Sequence, residues 1–150
     1  MGQEKNWQGQ ADKRMDYEDI VYLCKCAVDG EKPDDQKIRS STEELYETAE
    51  EHMLTSAVGM ALESSGIRKE NFTKAIAQAQ RKNALLDADR IKVLAALEEA
   101  GIWYMPLKGA ILKDMYPKYG MRQMADNDIL VDPGRRADVR EIMEKLGFTV

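Results

Sequence analysis

The chain has 150 residues, long enough for one domain with a core, and a net charge of −5, which does not favour nucleic acid as a partner. It has no apolar run near the ~20 residues of a membrane helix and no apolar signal core, so we expect a cytoplasmic protein with no membrane partner. With one histidine, Cys24 and Cys26 cannot complete a four-ligand zinc site. We therefore expect reduced thiols, with Cys24 in the core.

The first two thirds of the sequence are predicted to be helical. Residues 1–14 are polar and expected to be disordered, and residues 15–100 are expected to form a helical region. Three helices are predicted there, at about 16–28, 41–66 and 69–100. The last is long because its apolar residues repeat at spacings of three, four and seven.

Polar residues in these helices have two kinds of interpretation. Ser41 and Glu44 have the form of a capping box at the start of the second helix. His52 lies beside an apolar stripe, where a packed or hydrogen-bonded histidine is favoured over a catalytic base. Asn83 and Arg90 interrupt the apolar stripe of the long helix, and we interpret them as a solvated edge rather than the wall of a cleft.

The pattern changes to strands and turns in residues 101–150. The predicted elements are a strand at 102–105, a turn at Lys108-Gly109, a short helix at 110–115, a strand at 126–131, a helix at 133–145 and the start of a strand at 148–150. The fold class is therefore α+β: a helical N-terminal part of three helices, one of them long, packed on the start of a small mixed β-sheet.

Two acids begin the second predicted strand. Because side chains alternate along a strand, Asp126 and Asp128 are expected on one face, roughly 7 Å apart. Mg²⁺ relieves the repulsion between two such carboxylates, and it prefers one or two carboxylates together with phosphate oxygens. The pair is thus typical of a phosphoryl-transfer site.

A turn precedes these acids. Gly109 lets the backbone approach a ligand closely, and the helix that begins at Ala110 offers free N–H groups to a phosphate. Lys108 adds a positive charge, within a stretch that also contains Lys113 and Lys118. The turn is a candidate phosphate site, although ordinary surface lysines explain the charge about equally well.

Other interpretations of the acids differ in strength. A calcium-binding loop of EF-hand type fails, because Val131 and Ala137 occupy the positions that need Gly and Glu. The D-x-D of nucleotide-sugar glycosyltransferases normally follows an apolar strand, whereas here the apolar residues come afterwards. A purely structural role, in which either acid caps an element or pairs with Arg122, stays open.

The motifs together resemble a known family. Leu107-Lys108-Gly109-Ala110, the run from Arg122 through Asp126 and Asp128 to Val131, and the helix that ends at Leu146-Gly147-Phe148 are similar to the uncharacterised nucleotidyltransferase family of the DNA polymerase β-like superfamily. The motifs cover residues 102–150, while the helical part from about residue 40 agrees only in character. The resemblance implies a sheet of nucleotidyltransferase type, of which residues 101–150 would be an incomplete core.

The resemblance also implies roles for particular residues. Asp126 and Asp128 would hold Mg²⁺, the NTP phosphates would lie near Lys108, Gly109 and Ala110, and Arg122 would orient a phosphate or an acid. Asn127 replaces the family's usual apolar residue between the acids. Such enzymes use a third carboxylate from a later strand, so we expect this chain to be an N-terminal piece that cannot turn over alone.

The expected function is transfer of a nucleoside monophosphate from an NTP to an unknown hydroxyl acceptor. The alternative is a non-catalytic module that binds nucleotide or another protein. The third possibility is a homo-oligomer, in which the exposed edge of an incomplete sheet pairs with a second copy of the chain.

Overall fold

A computed structural model describes the backbone of residues 4–149 and the side chains of residues 16–149. Its helices and strands are α1 (Glu4–Asp29), α2 (Thr42–Glu51), α3 (Thr55–Ser65), α4 (Glu70–Glu99), β1 (Tyr104–Pro106), α5 (Gly109–Leu112), β2 (Ile129–Val131) and α6 (Arg136–Lys145). Unit 1 contains the chain up to Gln80 together with Tyr116–Gln123, and unit 2 contains Arg81–Met115 and the chain from Met124 onward. No helix in the described residues is both long and apolar enough to cross a bilayer.

The predicted mixture of helices and a small sheet is confirmed, but the number of helices is not. Four helices, rather than three, precede the first strand, because the second predicted helix is broken between Glu51 and Thr55. Met53 takes a positive φ of 57° at the break. The break separates two burial patterns: α2 buries only Leu45 and Ala49, whereas α3 buries every residue from Thr55 to Leu62. One straight helix would not change from one buried stripe to burial on all sides.

The core of unit 1 is formed by apolar side chains of α1, α2, α3 and the beginning of α4. Its fully buried members include Leu23, Leu45, Val58, Leu62 and Phe72. Cys26 is buried in unit 1, while Cys24 is only partly buried against this core, so the expectation that Cys24 is the core thiol was wrong. Burial raises the pKa of Cys24 to about 11, so this thiol is largely protonated at neutral pH.

Two polar features of unit 1 stabilise helix ends. The capping box of Ser41 and Glu44 is confirmed, since each side chain bonds the other residue's backbone N–H. Asp19, buried to 2% exposure, accepts hydrogen bonds from the N–H groups of Arg39 and Ser40 and from the Ser40 hydroxyl. Asp19 therefore ties α1 to the segment that leads into α2.

His52 lies at the exposed end of α2. Its ring meets Tyr17 edge-on, with 5.5 Å between the ring centroids. Both residues are exposed, so this is a ring contact at the surface, and the preference for a packed histidine over a catalytic base stays a prediction.

The segment Tyr116–Gln123 caps α3. Gln123 Oε1 accepts hydrogen bonds from the Ser56 N–H at 3.1 Å and the Thr55 hydroxyl at 3.0 Å, where Leu54 provides no side-chain cap. Gly120 has a φ of +82°, and a β-carbon there would lie 3.2 Å from Gln80 Cα. A glycine is therefore required for the close approach of this segment to α4.

Unit 2 contains an antiparallel pair of strands whose inner face packs on helices; we call this strand pair the hairpin, although residues 107–128 connect its strands. β1 and β2 are antiparallel, with Tyr104 opposite Val131 and Met105 opposite Leu130. The inner face includes Tyr104, Ile129 and Val131, which pack with Val93 and Leu97 of α4 and with α6. Within the described residues the sheet is antiparallel with two strands, so the expected mixed sheet is not present.

Two other predictions for unit 2 were wrong. Phe148 is not in a strand but packs against the core that Val93 and Leu97 form; the predicted last strand ends on residue 150, which lies outside the described residues. Asn83 and Arg90 are not at a solvated edge, because Asn83 is 1% exposed and the Arg90 side chain 14% exposed. The extent of α4, by contrast, agrees with the predicted 69–100.

The predicted disorder of residues 1–14 stays a prediction. Residues 1–3 lie outside the described part of the chain, as do the side chains of residues 4–15. The backbone of α1 begins at Glu4, well before the predicted start near Asp16.

Candidate functional site

A strained turn begins the site in unit 2. Lys108 has φ 48° and ψ −117°, and the N–H of Ala110 donates to Leu107 O at 3.3 Å. These values belong to the second residue of a type II′ turn, a position that favours glycine. A non-glycine residue held in such a conformation costs stability, and such residues cluster at functional sites. The strain thus singles out Lys108 rather than Gly109.

The helix after the turn contributes less than expected. α5 is one turn long, so its dipole is small. The N–H groups of Ile111 and Leu112 donate to Lys108 O at 3.2 and 2.9 Å, as that of Ala110 does to Leu107 O. Ala110 is also buried. The turn therefore leaves the Lys108 side chain exposed to solvent, and the buried Ala110 supports the turn.

The acids precede the strand instead of beginning it. β2 starts at Ile129, but the pairing continues one step back, because the N–H of Leu107 donates to Asp128 O at 2.9 Å. Alternation also continues, since Asn127 points inward like Ile129 while Asp126 is exposed. The expectation that the two acids share one face therefore depends on strand pairing that continues back to Asp128, and not on a long strand that contains both acids.

Lys108 and the acids lie together. Lys108 Nζ is 2.8 Å from Asp128 Oδ2, with the two side chains 74% and 38% exposed. The hydrogen bond to Asp128 raises the pKa of Lys108, and the charge of Asp126 raises it further. In the free protein, one predicted phosphate ligand is therefore neutralised by one predicted metal ligand, and both remain accessible to solvent.

Asn127 anchors the acidic segment. Its Nδ2 donates to Leu86 O in α4 at 2.7 Å, and its Oδ1 accepts from Arg90 at 3.3 Å. The family's usual apolar residue would make neither bond. The anchoring role of Asn127 was not predicted from the sequence, in which the polar residue Arg90 within the apolar stripe of α4 was the available signal.

A second ionic cluster removes one lysine from the candidate phosphate ligands. Lys113 is 8% exposed and lies 3.2 Å from Asp87 and 2.7 Å from Asp114. Arg90 also pairs with Asp87 at 2.8 Å. Burial alone raises the pKa of Asp87, but the hydrogen bonds from Lys113 and Arg90 outweigh it and lower the pKa below its ordinary value. Lys113 thus stabilises unit 2.

Arg122 belongs to unit 1, where it is half-buried in the Tyr116–Gln123 segment. Its predicted role toward a phosphate or an acid stays a prediction.

The donor set of the site fits a particular kind of cation. Asp126 and Asp128 are two accessible carboxylates, and the described residues contain no group of three or more His, Cys, Asp or Glu side chains placed to hold a metal. Mg²⁺ commonly binds through one or two carboxylates and keeps water or substrate oxygens in its other positions. The two acids therefore fit Mg²⁺ that arrives with a nucleotide, and do not fit a cation that needs an all-protein cage.

A strained Lys-Gly turn that faces paired acids across a hairpin has the residues of a phosphate-and-metal site. The chain belongs to the uncharacterised nucleotidyltransferase family, whose model matches residues 39–150. The match includes α2 and α3 as well as the motifs of residues 102–150, so the membership extends beyond the part on which the resemblance was based. The chain matches no curated protein and no solved structure.

Proposed function

We propose that the site takes part in the transfer of a nucleoside monophosphate from an NTP to a hydroxyl acceptor, with Mg²⁺ bound at Asp126 and Asp128 and with a third carboxylate supplied from outside the described residues. The observation that carries the proposal is the Lys108–Asp128 ion pair in a strained, solvent-accessible turn beside Asp126. Membership of a nucleotidyltransferase family supports the reaction class.

In the proposed mechanism Lys108 has two alternative partners, the Asp128 carboxylate and the phosphates of the nucleotide. Without nucleotide, Lys108 neutralises Asp128 and reduces the repulsion between the two acids. When a phosphate binds, the Lys108 ammonium exchanges its carboxylate partner for phosphate oxygens, and Asp128 becomes available to the metal. The flexible lysine side chain suits such an exchange because it acts as a point charge.

The proposed transfer is a displacement at the α-phosphorus. The acceptor oxygen forms a bond to phosphorus, the bond to pyrophosphate breaks, and the hydroxyl proton passes to water or to the third carboxylate that the resemblance implies. Mg²⁺, when bound, neutralises negative charge on the phosphates. Lys108 would position these phosphates, and Asn127 would hold the acidic segment against α4 throughout.

Calorimetry with ATP, GTP, CTP and UTP, with and without Mg²⁺, tests the binding part of the proposal. We expect Mg²⁺-dependent binding that D126N/D128N weakens about 100-fold, equivalent to about 2.7 kcal/mol. The control E141Q/E144Q removes the same two charges from α6 in the same unit, and should leave the affinity unchanged. Equal affinity of D126N/D128N and the unmodified protein would reject the site.

The second candidate is a module that binds nucleotide without transferring it. It is favoured by the presence of only two acids in the site among the described residues. Pyrophosphate release distinguishes the candidates: a transferase forms pyrophosphate from MgNTP and an acceptor in a manner that D126N/D128N abolishes. Tight MgNTP binding without pyrophosphate, over a panel of protein, nucleic-acid and small-molecule hydroxyls, would support the binding module.

A further inference from the structure

The outer face of the hairpin carries exposed apolar side chains. Trp103, Met105 and Leu130 are 51%, 47% and 45% exposed. Their neighbours along the strands, Tyr104 and Ile129, pack inward against the core of unit 2. Because side chains alternate, the three exposed residues share the opposite face. We call Trp103, Met105 and Leu130 the outer strip.

The outer strip continues from the charged site. Asp128 comes directly before β2 and two residues before Leu130, and Met105 lies directly opposite Leu130. Trp103 lies further from Asp128, two residues before Met105, where its carbonyl accepts a hydrogen bond from the N–H of Asp132. With a rise of about 3.3 Å per residue, the strip extends from about 7 to about 13 Å beyond Asp128.

We propose that the outer strip binds the base of the nucleotide whose phosphates lie at Lys108. This inference rests on the proposed function, because it takes the phosphate position from that site. The ribose separates the base from the α-phosphate by a distance of the same order as that between Asp128 and the strip. An aromatic ring beside a phosphate site suits a ligand with a charged end and a flat apolar end.

The chemistry of the strip predicts how it selects a base. Among an indole, a thioether and an isobutyl group, the Trp103 N–H is the single strong hydrogen-bonding group, which is too few to recognise the edge of a base. Stacking depends on the area of the ring and tolerates any base. The strip therefore favours purines modestly over pyrimidines and does not distinguish adenine from guanine by a pattern of hydrogen bonds.

Intrinsic fluorescence reports on the strip directly, because Trp103 is one of two tryptophans. The W7F variant leaves Trp103 as the sole indole. Titration of W7F with MgATP should quench Trp103, whereas titration with magnesium tripolyphosphate, which has phosphates but no base, should not. Quenching by both ligands alike would contradict base stacking.

Calorimetry with strip variants provides the affinity test. Trp103→Ala should weaken MgATP binding about tenfold, equivalent to about 1.4 kcal/mol, and leave tripolyphosphate binding within about twofold, because only MgATP loses a stacked base. Trp103→Phe retains a flat ring and should recover most of the loss. The control Ile91→Ala removes an apolar side chain of 66% exposure from α4 in the same unit, and should change neither affinity.

The outcomes separate this inference from the proposed function. If MgATP and tripolyphosphate both bind and Trp103→Ala changes neither affinity, the strip is not a base site and the phosphate site stands. If neither ligand binds, the proposed function fails and the inference fails with it. If sedimentation shows that Trp103→Ala converts a dimer to a monomer without changing MgATP affinity, a second copy of the chain covers the strip and the inference is overturned.

Discussion

The polar interior of unit 1 and the turn at Lys108 in unit 2 treat their polar groups in opposite ways. In unit 1 the Asp19 carboxylate is buried and accepts three hydrogen bonds, and the buried Ser56 hydroxyl donates to Gly120 O at 2.7 Å. In unit 2 the ion pair of Lys108 and Asp128 stays accessible to solvent, and the backbone of Lys108 is strained. A buried polar group with all its bonds made stabilises the fold, whereas an accessible ion pair adds little stability.

The difference shows where ligand binding is to be expected. Unit 1 also buries the larger apolar core, which includes Leu23 and Phe72. In unit 2 one face of the hairpin is exposed to solvent, with Trp103 at its end. We therefore expect mutations in unit 1 to change the free energy of unfolding, and mutations at the hairpin to change ligand affinity.

The largest effect is expected at Phe72. Its side chain is 1% exposed, meets Tyr46 edge-on and packs directly against Gly59. Phe72→Ala should lower the free energy of unfolding by about 3–5 kcal/mol in urea denaturation, because it leaves a cavity. Val21→Ala, at a residue of 69% exposure on α1, is the control and should change it by less than about 0.5 kcal/mol. A small effect at Phe72 would mean that stability does not reside in unit 1.

Lys108→Gly should separate stability from binding. Glycine adopts the observed φ of 48° without strain. We expect this relief of strain to exceed the cost of glycine's greater entropy in the unfolded chain, so the midpoint of thermal unfolding should rise by about 2–4 °C. MgNTP affinity should fall about tenfold, because the ammonium is lost. Lys118→Gly, at an exposed lysine of unit 1, serves as the control for the charge. A variant that is stabilised and binds as tightly as before would exclude Lys108 from the site.

Ser41→Ala should have a smaller effect, confined to stability. It removes the capping box of α2 and should lower the free energy of unfolding by about 1 kcal/mol. Ser41→Asp preserves a capping oxygen and should restore most of it. Any change in MgNTP affinity, measured by calorimetry on the folded variants, would contradict the division between the two units.

The ion pair of Asp87 and Lys113 should contribute to the dependence of the free energy of unfolding on pH at acidic pH. Because the pKa of Asp87 is lower in the folded protein than in the unfolded chain, its contribution is complete above the ordinary pKa of about 3.9 and is lost as pH falls below it. Asp87→Asn should flatten the decrease between about pH 4 and pH 2, by less than about 1 kcal/mol. The control Asp89→Asn should leave the curve unchanged, and an equal response of both variants would remove Asp87 from the account.

Local patterns in the sequence predicted much of this structure. The apolar repeat of α4, the capping box of Ser41 and the turn at Lys108-Gly109 depend on residues close in sequence, and each was found. The break at Met53 was missed because it depends on how deeply α3 is buried, which the pattern of α2 does not contain.

Interactions between distant residues were the other source of error. Asn127 bonds Leu86, and Gln123 caps α3, across 41 and 67 positions of sequence. Arg90 was wrongly predicted to lie at a solvated edge. Its nearby partner Asp87 is consistent with an exposed ion pair, and its distant partner Asn127 could not be recognised from spacing. The two acids were predicted as a pair. The ion pair between Asp128 and Lys108 was not, because it depends on the register in which β1 pairs with β2.

The most direct test of the central claim is paramagnetic broadening of backbone amide signals by MnATP in ¹⁵N-labelled protein. Mn²⁺ can replace Mg²⁺ at oxygen ligands, and the two units offer it different acids, since the Glu-rich helix α2 spans Thr42–Glu51. The account predicts that the amides of Gly109, Asp126 and Asp128 broaden first, ahead of those of α2, and that D126N/D128N abolishes the effect. Broadening centred on α2, or unchanged broadening in D126N/D128N, would contradict it.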